Sequence, residues 1–280
     1  LQDEITEHVV AAIEPAMLDT EAARIARKSL ADLSALDCFQ RGMWHFNRMS
    51  EPDYHQALGL FRQSIARDPV LALGYVGLAR MLYGGAIYGW SEQPVADLEE
   101  ARAAARRAVA LDPRDAYGYF AGAGAALYLG RHDEALEQAQ RALSLNPNFA
   151  FGHFRLGQVL IYSGQPAQAV GPIERSLRLS PYDPQIAPML QLLALAHYQA
   201  RNYDEAVRHA QSAVRLNDSR AAAILAAGLA RLGRFEDARS AYPLDVRERA
   251  RAEAPRLVTY ANPEDERHLR EGVRLAFLGG

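Results

Sequence analysis

Residues 130–147 read GRHDEALEQAQRALSLNP, and His132, Asp133 and Glu134 place an imidazole beside two carboxylates. Such a trio could hold a metal ion or pass a proton. The other histidines stand at 8, 45, 55, 153, 197, 209 and 268, and no pair of them forms H-E-x-x-H. His153 and His197 read as packing residues on helices. Gly84-Gly85-x3-Gly89 lacks the Lys of a phosphate loop and reads as a turn. Cys38 is the single cysteine, so neither an internal disulfide nor a Cys-based zinc site can form, and a buried, inert thiol is expected. No Ser/His/Asp set emerges from spacing. The expectation is a chain with no catalytic residues, no metal and no cofactor.

The elements around the trio explain why. Relatives of 130–147 recur: GQPAQAVGPIERSLRLSP at 164–181, RNYDEAVRHAQSAVRLND at 201–218 and GRFEDARSAY at 233–242, with upstream versions at 54–69 and 99–113. Pro113 to Pro147 is 34 residues, and Pro147 to Pro181 is 34 again. A second apolar-periodic segment precedes each stretch, so each unit is a pair of helices. Asp133 and Glu134 fall in phase with Asp204, Glu205, Glu236 and Asp237, in the first turn of a second helix, where negative charge meets the positive end of the helix dipole. Gly130, Gly164 and Gly233 stand where first helices stop. The trio reads as the start of a helix.

Composition narrows the class further. The net charge is −3 and the pI about 6.3, which gives no electrostatic reason to expect nucleic acid. No apolar run of about 18 residues and no signal-type leader is present, so the reading is cytoplasmic, with no membrane partner. Only Lys28 among the 31 basic residues is a lysine, which reads as genome composition. The chain opens at Leu1 inside an apparent helix and reads as a piece of a longer polypeptide.

The repeat resembles the tetratricopeptide (TPR) pattern W-x2-L-G-x2-Y, then A-x3-F, A and P. Residues 150–183 carry it best, with His153 at the Trp position, then Leu156, Gly157, Leu160, Gly164, Ala169, Ile173, Ser176 and Pro181. The resemblance implies an all-α, right-handed superhelical solenoid with six repeats over 35–252, a helical linker at 1–34 and a capping helix at 253–280. Insertions near 48–53 and 84–97 are expected as turns between paired helices. In the cap, Asn262 and Pro263 start the helix, and Leu269, Val273 and Phe277 would close the end of the core.

In TPR proteins the first helix of each repeat lines a groove. Carried over by position, the resemblance puts Arg80, Tyr83, Tyr117, Phe120, Tyr128, Phe151, Phe154, Gln158, Tyr162, Gln191 and Tyr198 on that face. This is an aromatic set without the Lys/Asn/Arg clamp of the TPRs that bind chaperone tails, and it implies a protein or peptide partner. Packing of the same rings as core is the competing expectation. Tyr88 and Trp90 in the second insertion are a further contact candidate. Leu1, Ile5, Val9 and Ile13 form an amphipathic stripe suited to self-association. LQDEIT…EP, then ALDCFQRGMWHFNR, then the array and EDERHLREGVRLAFLGG, resembles the C-terminal region of bacterial multidomain signalling proteins. There the array follows a class III adenylate/guanylate cyclase domain or a winged-helix DNA-binding domain. The resemblance thus implies a regulatory module working on its own upstream domain, on a second copy or on a partner segment.

Overall fold

The computed structural model describes residues 33–48, 50–183, 185–243 and 260–278. The Leu1–Ile13 stripe, nearly all of the 1–34 linker and residues 244–259 lie outside the described residues. Among the described residues every regular element is a helix, and there are thirteen. They alternate as first and second helices: α1 Ala35–Asn47 with α2 Glu51–Arg67, α3 Ala72–Tyr88 with α4 Pro94–Leu111, α5 Ala116–Tyr128 with α6 His132–Leu145, α7 Ala150–Tyr162 with α8 Pro166–Leu179, α9 Ile186–Gln199 with α10 Tyr203–Arg215, and α11 Arg220–Arg231 with α12 Phe235–Ala241. A last helix, α13, spans Pro263–Leu278. The chain divides into two compact units at Phe149 and Ala150.

Local chemistry accounts for the alternation. Asp133 and Glu134, Asp204 and Glu205, and Glu236 and Asp237 occupy the first turns of α6, α10 and α12, where they offset the dipole. Gly130, Gly164 and Gly233 take φ of 72°, 78° and 76° at the ends of first helices. Arg201 holds the equivalent place after α9 with φ 66°, in a region that disfavours side chains. Within a pair, backbones close up at small residues. A Cβ on Gly157 of α7 would lie 2.9 Å from Ile173 Cδ1 of α8, so the fully buried Ile173 fills the groove that glycine leaves. The core is accordingly rich in alanine: Ala135, Ala139 and Ala142 of α6 are all wholly buried.

The insertion at 84–97 departs from the expected turn. Gly84 and Gly85 are helical, and α3 runs through Ile87 to Tyr88 before the left-handed Gly89 stops it. Pro94 then starts α4, so the extra residues lengthen both helices of the pair and leave a turn of only 89–93. The reason is close packing: a Cβ on Gly85 would meet the Tyr54 ring of α2, its hydroxyl at 2.6 Å. In the first pair, Ser50 caps α2 and accepts from the Asp53 N–H, so the helix starts at Glu51.

Candidate functional site

The opening trio is built into the packing of second helices. Glu134 of α6 accepts from Arg102 of α4 in a two-pronged ion pair, Nε to Oε1 and Nη2 to Oε2 both at 2.8 Å. Arg102 holds the Glu134 carboxyl below its usual range. His132 is lowered as well, by burial. Of the trio, Glu134 fastens one repeat to the next.

In the unit ending at Phe149, the sequence-assigned face residues turn towards each other. Arg80 of α3 is 6% exposed. Its guanidinium carbon lies 4.4 Å from the Phe46 ring centroid, 5.5 Å from Phe120 and 6.0 Å from Tyr117. Cation–π attraction is strongest where water is excluded, so α1, α3 and α5 are joined through one cation. Phe149 closes the cluster against Tyr117 at 4.5 Å and Phe120 at 5.4 Å. Tyr83 stacks on Tyr128 at 6.4 Å, and both are buried. Of the five residues placed on this face, only Tyr117 remains partly exposed. Tyr88 ends α3 and stacks on Trp90 at 4.9 Å, and Trp90 also faces Tyr54 at 5.9 Å. Trp90 thus packs on the second helix of the preceding pair, and Tyr88 lies against Trp90 and is exposed.

In the unit from Ala150 onward, the equivalent face carries α13. Ala261 donates its backbone N–H to the Tyr162 carbonyl at 2.8 Å, and the Tyr162 ring meets Tyr260 at 4.8 Å. Gln199 Nε2 donates to the Asp265 carbonyl at 2.7 Å, and the Tyr198 hydroxyl donates to the His268 carbonyl at 3.0 Å. His268 stacks on Tyr198 at 4.7 Å, and Arg231 Nη2 reaches its Nδ1 at 3.1 Å. Burial, then Arg201 and Arg231, push the His268 imidazole down to about 4. Asp265, His268, Gly272 and Ala276 form the stripe that α13 buries, with Leu269, Val273 and Phe277 partly exposed on its flank. Asn262 accepts from the Glu264 N–H and caps the helix. Tyr198 is wholly buried. Phe154 and Gln158 are buried, Gln158 bonded to Arg155, while Phe151 and Gln191 are partly exposed.

Sequence reasoning missed Gln199, Arg231 and His268 as partners, because no local pattern says which face a terminal helix covers. It also missed His197 of α9 with Glu205 and His209 of α10, which the fold gathers. Their only signal is the four-residue spacing of Glu205 and His209, which puts two ligand types on one helical face.

The comparisons with known proteins agree with this architecture. The tetratricopeptide repeat family model matches residues 95–148, 120–184 and 192–255, more than half of the chain. No curated protein matches. Among solved structures, a thermophilic TPR protein of Thermus thermophilus is 21% identical, over 70% of this chain and 99% of its own, with a TM-score of 0.55. Pseudomonas aeruginosa PilF is 20% identical over 85% of this chain and 97% of its own, at 0.56. The APC/C hetero-tetramer Cut9–Hcn1 matches 96% of this chain at 16% identity and 0.66, and the match spans 48% of that chain. At these identities the likeness speaks for fold. Among the described residues no helix is long and apolar enough to cross a membrane. With helix pairs in 34-residue register, small residues where the pairs close and a family model matching over half its length, the chain belongs to the tetratricopeptide repeat family.

Proposed function

We propose that this chain is a protein-binding repeat module that engages helical segments on its first-helix faces and regulates an output domain joined to it. One observation carries the reading: α9 already holds an α-helix, α13, by donating from Gln199 and Tyr198 to its backbone carbonyls. Donation to carbonyls is indifferent to side-chain identity, while the pocket over Gly272 selects a small residue. A Cβ there would lie 2.9 Å from Ala227 Cβ and against the Tyr198 hydroxyl. This is helix-in-groove recognition, performed on a segment of the same chain. A partner helix with a small residue at the matching place competes with α13, and that competition couples binding to the rest of the polypeptide.

Fluorescence anisotropy with a labelled peptide of residues 260–278 tests the binding step. The chain with Gly272→Leu, whose own α13 no longer seats, is expected to bind the peptide one to one, and the parent chain far more weakly. Absence of binding to the Gly272→Leu chain would refute the reading. For the attached domain we propose a class III nucleotide cyclase, on the resemblance of the 1–50 and 264–280 stretches to cyclase-linked arrays. The codons upstream of Leu1 test this directly. Metal-binding carboxylates of a cyclase there support it, and a winged helix replaces it with a transcriptional regulator.

A further inference from the structure

Three ligand-type side chains in the second unit have no part in holding α13. His197 lies on α9, and Glu205 and His209 lie one turn apart on α10. Their nearest ligand atoms, two imidazole nitrogens and one carboxylate oxygen, all lie within 4.8 Å of one another. The imidazole planes are 7° apart with centroids at 5.5 Å, and Glu205 Oε2 is 3.5 Å from His209 Nε2. We propose that His197, Glu205 and His209 form a site for a divalent late first-row transition metal of the zinc class, clipping α9 to α10.

The donor set fits that ion. Two imidazoles and one carboxylate, with water completing a tetrahedron, are a zinc ligand set. Ligand atoms on a tetrahedral zinc stand about 3.3 Å apart, given bonds of about 2.0 Å, so the three need only modest rotamer movement to close on it. Both imidazoles are half-buried or better, and burial keeps them neutral near pH 7, His209 down to about 4. A neutral imidazole offers the lone pair a metal needs. Glu205 is held ionised by Arg208. The charges facing the cluster are Arg208 on α10 and Glu174 on α8, which acts on His197. Arg208 is the competitor: it bonds Glu205, and its Nη2 lies 3.1 Å from His209 Nε2. Its side chain is 64% exposed, so it can swing into water and give up those acceptors. Hard ions such as Mg²⁺ prefer all-oxygen sets and should not compete.

The test titrates the untagged 280-residue chain with Zn²⁺ by calorimetry and with Co²⁺ by visible absorption. One ion per chain is expected, with intense low-symmetry Co²⁺ bands that Zn²⁺ bleaches and Mg²⁺ does not. His197→Ala and His209→Ala should each weaken Zn²⁺ binding about a hundredfold, and Glu205→Gln about tenfold. Arg208→Ala should tighten it. His153→Ala, outside the cluster, should leave it unchanged. Failure of the parent chain to take up one Zn²⁺, or equal affinity in His197→Ala and the parent, would overturn the proposal. The Co²⁺ spectrum is read on the parent chain, so it stands even where a variant folds poorly, and an octahedral, water-like spectrum also overturns it.

Discussion

In residues 33–149 the first helices α1, α3 and α5 meet each other through Arg80 and its rings, with Tyr83 stacked on Tyr128. In residues 150–278 the first helices α9 and α11 meet a seventh helix of that unit, α13, through hydrogen bonds to its carbonyls, and the Tyr162 carbonyl of α7 accepts from Ala261 just ahead of it. The same repeat position therefore does two jobs. Large aromatics with a buried cation use up the first-helix face in local packing. The Tyr198, Gln199 and Arg231 set instead aims donors at the backbone carbonyls of an added helix. A first-helix residue named by repeat position is thus a candidate for contact, and its neighbours decide whether it is core or binding surface.

The sharpest way to break this contrast is Gly272→Leu. Its side chain would run into Tyr198 and Ala227. Overpacking of this kind costs about 1–3 kcal/mol, and the lifting of α13 would add the exposure of its buried stripe. Hydrogen exchange should show 260–278 and α11 losing protection while residues 33–149 keep theirs. Unchanged protection of 260–278 would mean that α13 is not seated through Gly272.

Acid is expected to have the next largest effect, and on the second unit first. His268 is folded with its imidazole near 4, against about 6.5 when unfolded. Its folded value is depressed, so its contribution is present above pH ~6.5 and lost as pH falls through 4, on the order of 3 kcal/mol. His209, also near 4, loosens the same unit over the same window. In the first unit His132 is lowered, by burial at one site. Both tryptophans, Trp44 and Trp90, belong to the first unit, so their fluorescence reports that unit alone while far-UV circular dichroism reports both. Dichroism should fall at a higher pH than the tryptophan signal, and His268→Gln should narrow the gap. Coincident transitions would break the contrast.

Much of this fold is written locally. The 34-residue spacing of Pro113, Pro147 and Pro181, the acidic pairs at 133–134 and 204–205, and the helix-ending Gly130, Gly164 and Gly233 each act within one or two turns. They were legible for that reason. The turn expected at 84–97 was misread because Gly84 and Gly85 read as breakers, whereas Gly85 is helical so that Tyr54 can lie against it. That is a contact between helices, invisible to local pattern. The face assignment was legible as a set of positions and not as a set of fates. Burial of Tyr128 depends on Tyr83, 45 residues earlier, and burial of Tyr198 depends on His268, 70 residues later.

A smaller effect is expected from Arg80→Ala, the counterpart test in the first unit. It removes the cation shared by Phe46, Tyr117 and Phe120 and truncates a buried stem. About 2 kcal/mol should be lost, read as a lower urea midpoint in tryptophan fluorescence. Protection of 260–278 should not move. A shift there as large as in the first unit would mean that the two faces are not separately built.

The finest comparison concerns a single hydroxyl. Tyr198→Phe removes the donor to the His268 carbonyl. That carbonyl lies inside α13 and keeps its place in the helix's own bonding, so no acceptor is orphaned and the cost should be near 1 kcal/mol, not the larger penalty of a buried unpaired group. The loss should show as faster exchange in 260–278 alone. The hydroxyl also occupies the space a Cβ at 272 would need. Gly272→Ala in the parent chain should therefore destabilise, despite alanine's better helix propensity of about 1 kcal/mol. In the Tyr198→Phe background the nearest obstacle is gone while Ala227 Cβ at 2.9 Å remains, so the same substitution should cost clearly less than in the parent chain. A double-mutant cycle should then give a coupling of about 1 kcal/mol or more between positions 198 and 272. Additive effects would place α13 elsewhere than over Tyr198, and with it would go the case that this face recognises a helix.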